Sequence, residues 1–88
     1  MTTHVLKSWP RFFQQLLEGN RTHELRRNDR DYRIGDRMEL REFDPKADAY
    51  TGRICCIEIT SITSSQEPCA VSDEALHRDF CILSVKRV

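Results

Sequence analysis

The sequence predicts an α+β fold dominated by β-structure: a small curled sheet or β-barrel with one main helix near the N-terminus. Three observations carry that expectation. The chain has 88 residues, which makes one domain (1–88) with one modest core. A single amphipathic helical pattern stands near the N-terminus, and most of the chain beyond it alternates at strand period. One strand-like run is longer than the others and is interrupted by a glycine, which suits a mostly antiparallel sheet curled round a plugging helix.

Thr3 to Lys7, the first element, reads as a short strand carrying Val5 and Leu6. Ser8-Trp9-Pro10 opens a helix, with Ser8 as a cap and Pro10 in the first turn. Phe12, Phe13, Leu16 and Leu17 share one face, with Arg11, Gln14, Gln15 and Glu18 opposite, and Gly19 ends the helix. Thr22 to Arg26 alternates, with His23 and Leu25 on one face and Thr22, Glu24 and Arg26 on the other. After a polar loop closed by Gly35-Asp36, Arg37 to Phe43 is an amphipathic strand with Met38 and Leu40 inward. Asp44 to Asp48 is a loop. Tyr50 to Thr63 is the long strand, broken by Gly52 at a bulge or close backbone approach. Ser64 to Ser72 connects. Ser72 or Asp73 caps one helical turn through Leu76, and Phe80 to Val88 is the last strand, with Cys81, Leu83 and Val85 alternating.

Function concentrates in Gly19 to Asp36. These eighteen residues hold five arginines and four acids but only two aliphatic side chains. Guanidinium and carboxylate groups at this density suit recognition of a polar, planar, partly anionic ligand. The alternative is a solvated loop laced with its own ion pairs. Elsewhere the composition excludes more than it suggests. An apolar fraction of 39% and a charged fraction of 32% describe a soluble globular protein, and fourteen basic residues balance fourteen acidic ones. Any nucleic-acid role must therefore rest on a local arrangement rather than on net charge. No apolar run approaches the ~20 residues that span a bilayer, and Met1 to His4 lacks the start of a secretory signal, so a cytoplasmic location and no membrane partner are expected. Cys55, Cys56, Cys69 and Cys81 show no chelating spacing, and adjacent Cys55 and Cys56 point to opposite faces of a strand. Free thiols are expected, with no metal and no cofactor.

Within the polar stretch, Glu24 and Arg26 share a strand face. Lining a cleft, Glu24 would accept from an amine or hydroxyl and Arg26 would meet phosphate or a carbonyl edge. Alternatively they pair with each other or with Arg53. Asn28 and Arg30 belong to a turn-forming run in which Asp29 could fix Arg30 or Arg26. Tyr32 and Tyr50 offer faces on which a base stacks, or else cover the core. Lys7 and Trp9 precede the helix start, where an anion is attracted, and Arg53 follows a glycine that allows close approach.

In order and spacing, Leu6-Lys7, Pro10, Phe13, Gly19, Glu24-Leu25-Arg26, Asn28-Asp29-Arg30-Asp31-Tyr32, Gly35-Asp36, Leu40-Arg41-Glu42 and Tyr50-Thr51-Gly52-Arg53 resemble the small ASCH-related family catalogued as domain of unknown function 3850, within the PUA-like superfamily. The resemblance runs from about His4 to Val85. It implies a PUA-like barrel with the first helix packed at one end, and a cleft near the helix end that faces RNA, a modified base or a nucleotide-like ligand. Some related proteins hydrolyse acetylcytidine with a Lys and a Thr, three apart, after the helix-ending glycine, and a later Glu. Here Arg21 and Glu24 stand at the first two positions, and Glu58 is the nearest later acid. Arginine does not lose its proton at neutral pH, so that lysine chemistry does not carry over.

The expected function is a PUA-like module that binds RNA or a nucleotide without catalysis, through Lys7, Trp9, Arg21, Glu24, Arg26, Asn28, Arg30, Tyr32, Tyr50 and Arg53. The alternatives are an amidohydrolase-like enzyme acting on a modified nucleoside, with Glu24 as base and Arg26 holding an oxyanion, and a protein-interaction module. Exposed strand edges leave both a monomer and a weak dimer open.

Overall fold

A computed structural model describes residues 1–88. Its elements are β1 (Thr3–Ser8), α1 (Pro10–Glu18), β2 (His23–Arg27), β3 (Arg37–Asp44), β4 (Ala49–Ser64), α2 (Ser72–Ala75) and β5 (Phe80–Arg87). They form one five-stranded sheet in the order β1-β3-β4-β5-β2. β1 runs parallel to β3, and every other neighbouring pair is antiparallel.

The sheet curls because β4 serves two neighbours in succession. Ala49 to Glu58 pairs with β3, and Ile57 to Ser64 pairs with β5. The register shifts once between Arg41 and Phe43 opposite Gly52, and again between Ile59 and Ser61. Each bulge bends its strand and adds twist, so the sheet closes into a half-barrel around α1. Phe13 and Leu16 of the helix fill its interior against Leu6, Met38, Leu40, Ile57, Ile59, Cys81, Leu83 and Val85. Cys55 is buried and Cys56 exposed, as their alternation requires, and all four thiols are free. No helix is long and apolar enough to cross a membrane.

Gly52 makes the first bulge possible. Its φ is +94°, and a Cβ there would meet nothing within 4 Å. The cost of a side chain is therefore purely conformational. Gly52→Ala is expected to lose roughly 1–3 kcal/mol, measured as a lower urea midpoint with an unchanged m-value.

Two capping assignments change. Ser8 is the buried last residue of β1, and the helix cap is Trp9, which makes no side-chain capping bond. Pro10 at the first helical position sets the helical φ without it. Likewise Val71 caps α2, while the Ser72 hydroxyl donates to the Ser64 carbonyl and accepts from the Cys69 amide. Ser8 is thus spent on the strand, and Ser72 ties α2 back to the end of β4.

β1 and β2 are the two edges of the sheet, and side chains bridge the seam between them. Arg26 Nη2 donates to the Lys7 carbonyl at 2.9 Å, and Arg30 Nη1 to the Val5 carbonyl at 3.4 Å. A second tie holds the other end of β1. The buried Asp36 carboxylate accepts from the Thr2 amide, from His4 Nε2 and from the Arg33 amide, at 3.1, 2.9 and 3.1 Å. Burial pushes this carboxyl up, but those hydrogen bonds outweigh it and hold the acid below its ordinary range.

Candidate functional site

The cleft lies where the seam meets the helix. A cavity of about 520 Å³ is lined by Lys7, Ser8, Trp9, Phe12, Arg21, His23, Glu24, Leu25 and Arg26. Its position is set by how α1 ends. Gly19 adopts the left-handed conformation (φ 78°), which lets the Asn20 and Arg21 amides donate to the Gln15 carbonyl. That turn carries Arg21 back over the helix, with its guanidinium 4.4 Å from the Phe12 ring centroid. β2 then starts with Glu24 facing inward.

Glu24 is only 2% exposed, and two guanidinium groups hold it. Its Oε2 accepts from Arg21 Nε at 3.1 Å, and its Oε1 accepts from Arg26 Nη2 at 2.7 Å and Nε at 3.2 Å. Arg21 Nη1 also lies 3.3 Å from His23 Nε2. Burying a carboxylate is tolerated only with such partners. β2 therefore turns its charged face inward and leaves Leu25 outside, because the seam supplies cations where the core supplies none.

Aromatic surface flanks this network. Trp9 is 46% and Phe12 38% exposed. The Trp9 ring leans on Phe43 with centroids 5.7 Å apart, and Lys7 Nζ sits 4.1 Å from the Phe43 centroid.

Five of the ten expected residues, Lys7, Trp9, Arg21, Glu24 and Arg26, come together here. Tyr50 and Arg53 line a separate depression of about 250 Å³ with Arg41, Gly52 and Ile54. Arg53 is a clamp there. Its Nε and Nη2 grip the buried Glu42 carboxylate at 2.9 and 2.8 Å, the Thr51 hydroxyl donates to the same group, and Arg53 Nη2 also donates to Gln14. Those Arg53 hydrogen bonds, against the opposing push of burial, keep Glu42 below the usual carboxylate range.

Asn28 and Arg30 lie past the end of β2 and line neither cavity. Asp29 pairs with neither arginine suggested for it; its amide donates to the Arg27 carbonyl, and the loop's ion pair is Arg33–Asp31. Tyr32 is a correction. It is 8% exposed, belongs to the core and packs edge-on against His4 with centroids 4.7 Å apart, so it offers no open face for stacking. Burial pushes its phenol up.

Ser8, Phe12, His23 and Leu25 line the cleft without having been expected there. Phe12 carried a signal. At about 100° per residue, Phe12 and Leu17 stand at the two margins of the helix's apolar arc, and margins are where a face meets solvent. The other three carried none, since the cavity exists only once β1, α1 and β2 meet.

A family model described as Domain of unknown function (DUF3850) matches residues 3–85. The chain belongs to this family. No curated protein matches this DUF3850 domain. The matched span includes every residue that lines the cleft, as well as the Asp36 and Glu42 anchors.

Proposed function

We infer that this DUF3850 domain is an RNA- or nucleotide-binding module of the PUA-like, ASCH-related kind, recognising a short single-stranded segment or one modified base. The observation that carries this is the cleft itself. Half-exposed aromatic rings stand beside guanidinium and ammonium groups in a cavity of about 520 Å³, within the roughly 300–1,000 Å³ common for small-ligand sites. A base stacked on an aromatic face gains ~1–3 kcal/mol, and the adjacent cations suit the backbone that comes with it.

The footprint is short. Zero net charge and three cations in the cleft leave room for contact with about three phosphates. At about −0.7 per phosphate for a single strand, log affinity should fall against log salt with a slope near −2.

The test is an amide-shift NMR titration with short single-stranded RNA at several salt concentrations. Saturable shifts clustered at Lys7, Trp9, Phe12 and Arg21 to Arg26, with that slope, are expected. Shifts that never saturate, or that scatter over the surface and vanish with salt, would sink the function.

A further inference from the structure

Resting on the nucleotide-binding function, we propose that the cleft recognises the phosphate of a nucleotide through unused arginine and lysine donors, and that Glu24 is a positioning residue that does not touch the ligand.

The polar atoms of the cleft are lopsided. Both Glu24 oxygens already accept from guanidinium N–H groups. The side chain is also only 3% exposed, so an amine or hydroxyl of a ligand has almost no open path to either oxygen. The guanidinium groups, by contrast, are half used. Arg26 commits Nε and Nη2, to Glu24 and the Lys7 carbonyl, and leaves Nη1 without a partner. Arg21 commits Nε and Nη1, to Glu24 and His23, and leaves Nη2 without a partner.

These free donors are not sealed in. The two side chains are only 15% and 19% exposed, yet the one fully buried side-chain polar atom without a partner anywhere in the chain is Arg37 Nε. Arg21 Nη2 and Arg26 Nη1 therefore keep contact with solvent, and both side chains line the cavity. Lys7 lines the same cavity and makes no ion pair; its ammonium sits over the Phe43 ring instead. Three cations thus face one buried carboxylate that two of them already hold.

That arrangement selects for acceptors with negative charge. A phosphate presents several oxygens, each able to take a guanidinium N–H, and such charge-assisted bonds are about twice as strong as neutral ones. The O6/N7 edge of guanine is also an acceptor pair, but it brings no charge to balance the excess. Glu24 has a different task. Two guanidinium groups this close repel each other, and a carboxylate between them fixes both planes with one N–H edge of each left free.

The experiment titrates the full 88-residue chain with guanosine and cytidine, their 5′-monophosphates, inorganic phosphate, and a short single-stranded RNA, following backbone amides and arginine Nε signals. Both monophosphates should bind and move Arg21 and Arg26 Nε, with the nucleosides weaker by roughly ten- to hundredfold, the worth of one charged hydrogen bond. Inorganic phosphate should compete. Arg26→Lys keeps the charge but loses the fork, and should weaken both monophosphates about tenfold. Glu24→Gln should weaken both by a common factor and leave their ratio unchanged.

Nucleosides that bind as tightly as their monophosphates would overturn the phosphate inference while leaving the nucleotide site standing. A cytidine preference that disappears in Glu24→Gln would do the same, by showing that Glu24 reads the base. Inorganic phosphate that binds as well as any nucleotide or RNA would keep the anion site and remove the nucleotide function. Silence from every probe would end both.

Discussion

Replacing Arg26 with alanine is expected to lower folding stability by about 1.5–3 kcal/mol, the range for losing a hydrogen bond to a charged group, because Arg21 still holds the other Glu24 oxygen. Glu24 is almost fully buried, and its Oε1 has only Arg26 as donor. Alanine leaves that oxygen unpaired, and it also removes the bond from Arg26 Nη2 to the Lys7 carbonyl across the seam. Arg26→Lys should fall between wild type and alanine, because an ammonium keeps the charge but not the two-pronged contact. Adding Glu24→Gln to Arg26→Ala should cost less than the sum of the two single changes, since the residue left behind is no longer a buried charge with one oxygen unpaired. Urea unfolding of the four proteins measures the cycle. A loss of about half a kcal/mol or less for Arg26→Ala would mean that the pair behaves like a solvent-screened surface contact, and the account of the seam would fall with it.

Asp36→Ala is expected to cost ~3 kcal/mol, seen as a melting temperature lower by roughly 12–24 °C for a domain of this size. The carboxylate collects the Thr2 amide, the His4 ring and the Arg33 amide, while its own carbonyl accepts from the Ile59 amide. The side chain thus ties β1, the loop before β3 and the start of β3 together at a point where the backbone is already bonded to β4. The pH dependence has a definite sign. The native acid sits below its unfolded value of about 3.9. Its contribution is therefore complete above that value and is lost as pH falls through the lowered native pKa, because the unfolded chain takes up the proton first. Glu42, also lowered, acts in the same direction. The stability gap between wild type and Asp36→Asn should accordingly hold steady down to about pH 4 and narrow as the pH falls below that. A gap that stays constant with pH would show that the charge of Asp36 is not the source.

Much of the fold was legible because short-range patterns carry it. Phe13 and Leu16 sit mid-arc on the helix and end in the core; Met38 and Leu40, or Cys81, Leu83 and Val85, alternate and all point inward. Gly52 marked its bulge because no other residue takes φ +94° without strain. The site was half legible. Lys7, Trp9, Arg21, Glu24 and Arg26 meet in one cavity, but Arg53 joins Glu42 in another, and Tyr32 goes into the core beside His4. A tyrosine in a polar loop looks like a surface ring until the loop's path is known.

What the sequence determined by itself was the element order, the end of the first helix at Gly19, and the two faces of the Thr22 to Arg26 strand. These depend on residues within a turn or two of one another. Only the tertiary structure decided which face of that strand turns inward. Apolar burial would have favoured His23 and Leu25, yet Glu24 and Arg26 went in. β2 lies at an open seam, where Arg21, delivered by the helix end, and Arg26 can together neutralise a buried carboxylate and bond to the free edge of β1. Partners brought together from separate elements set that balance, and neighbours in sequence do not encode it.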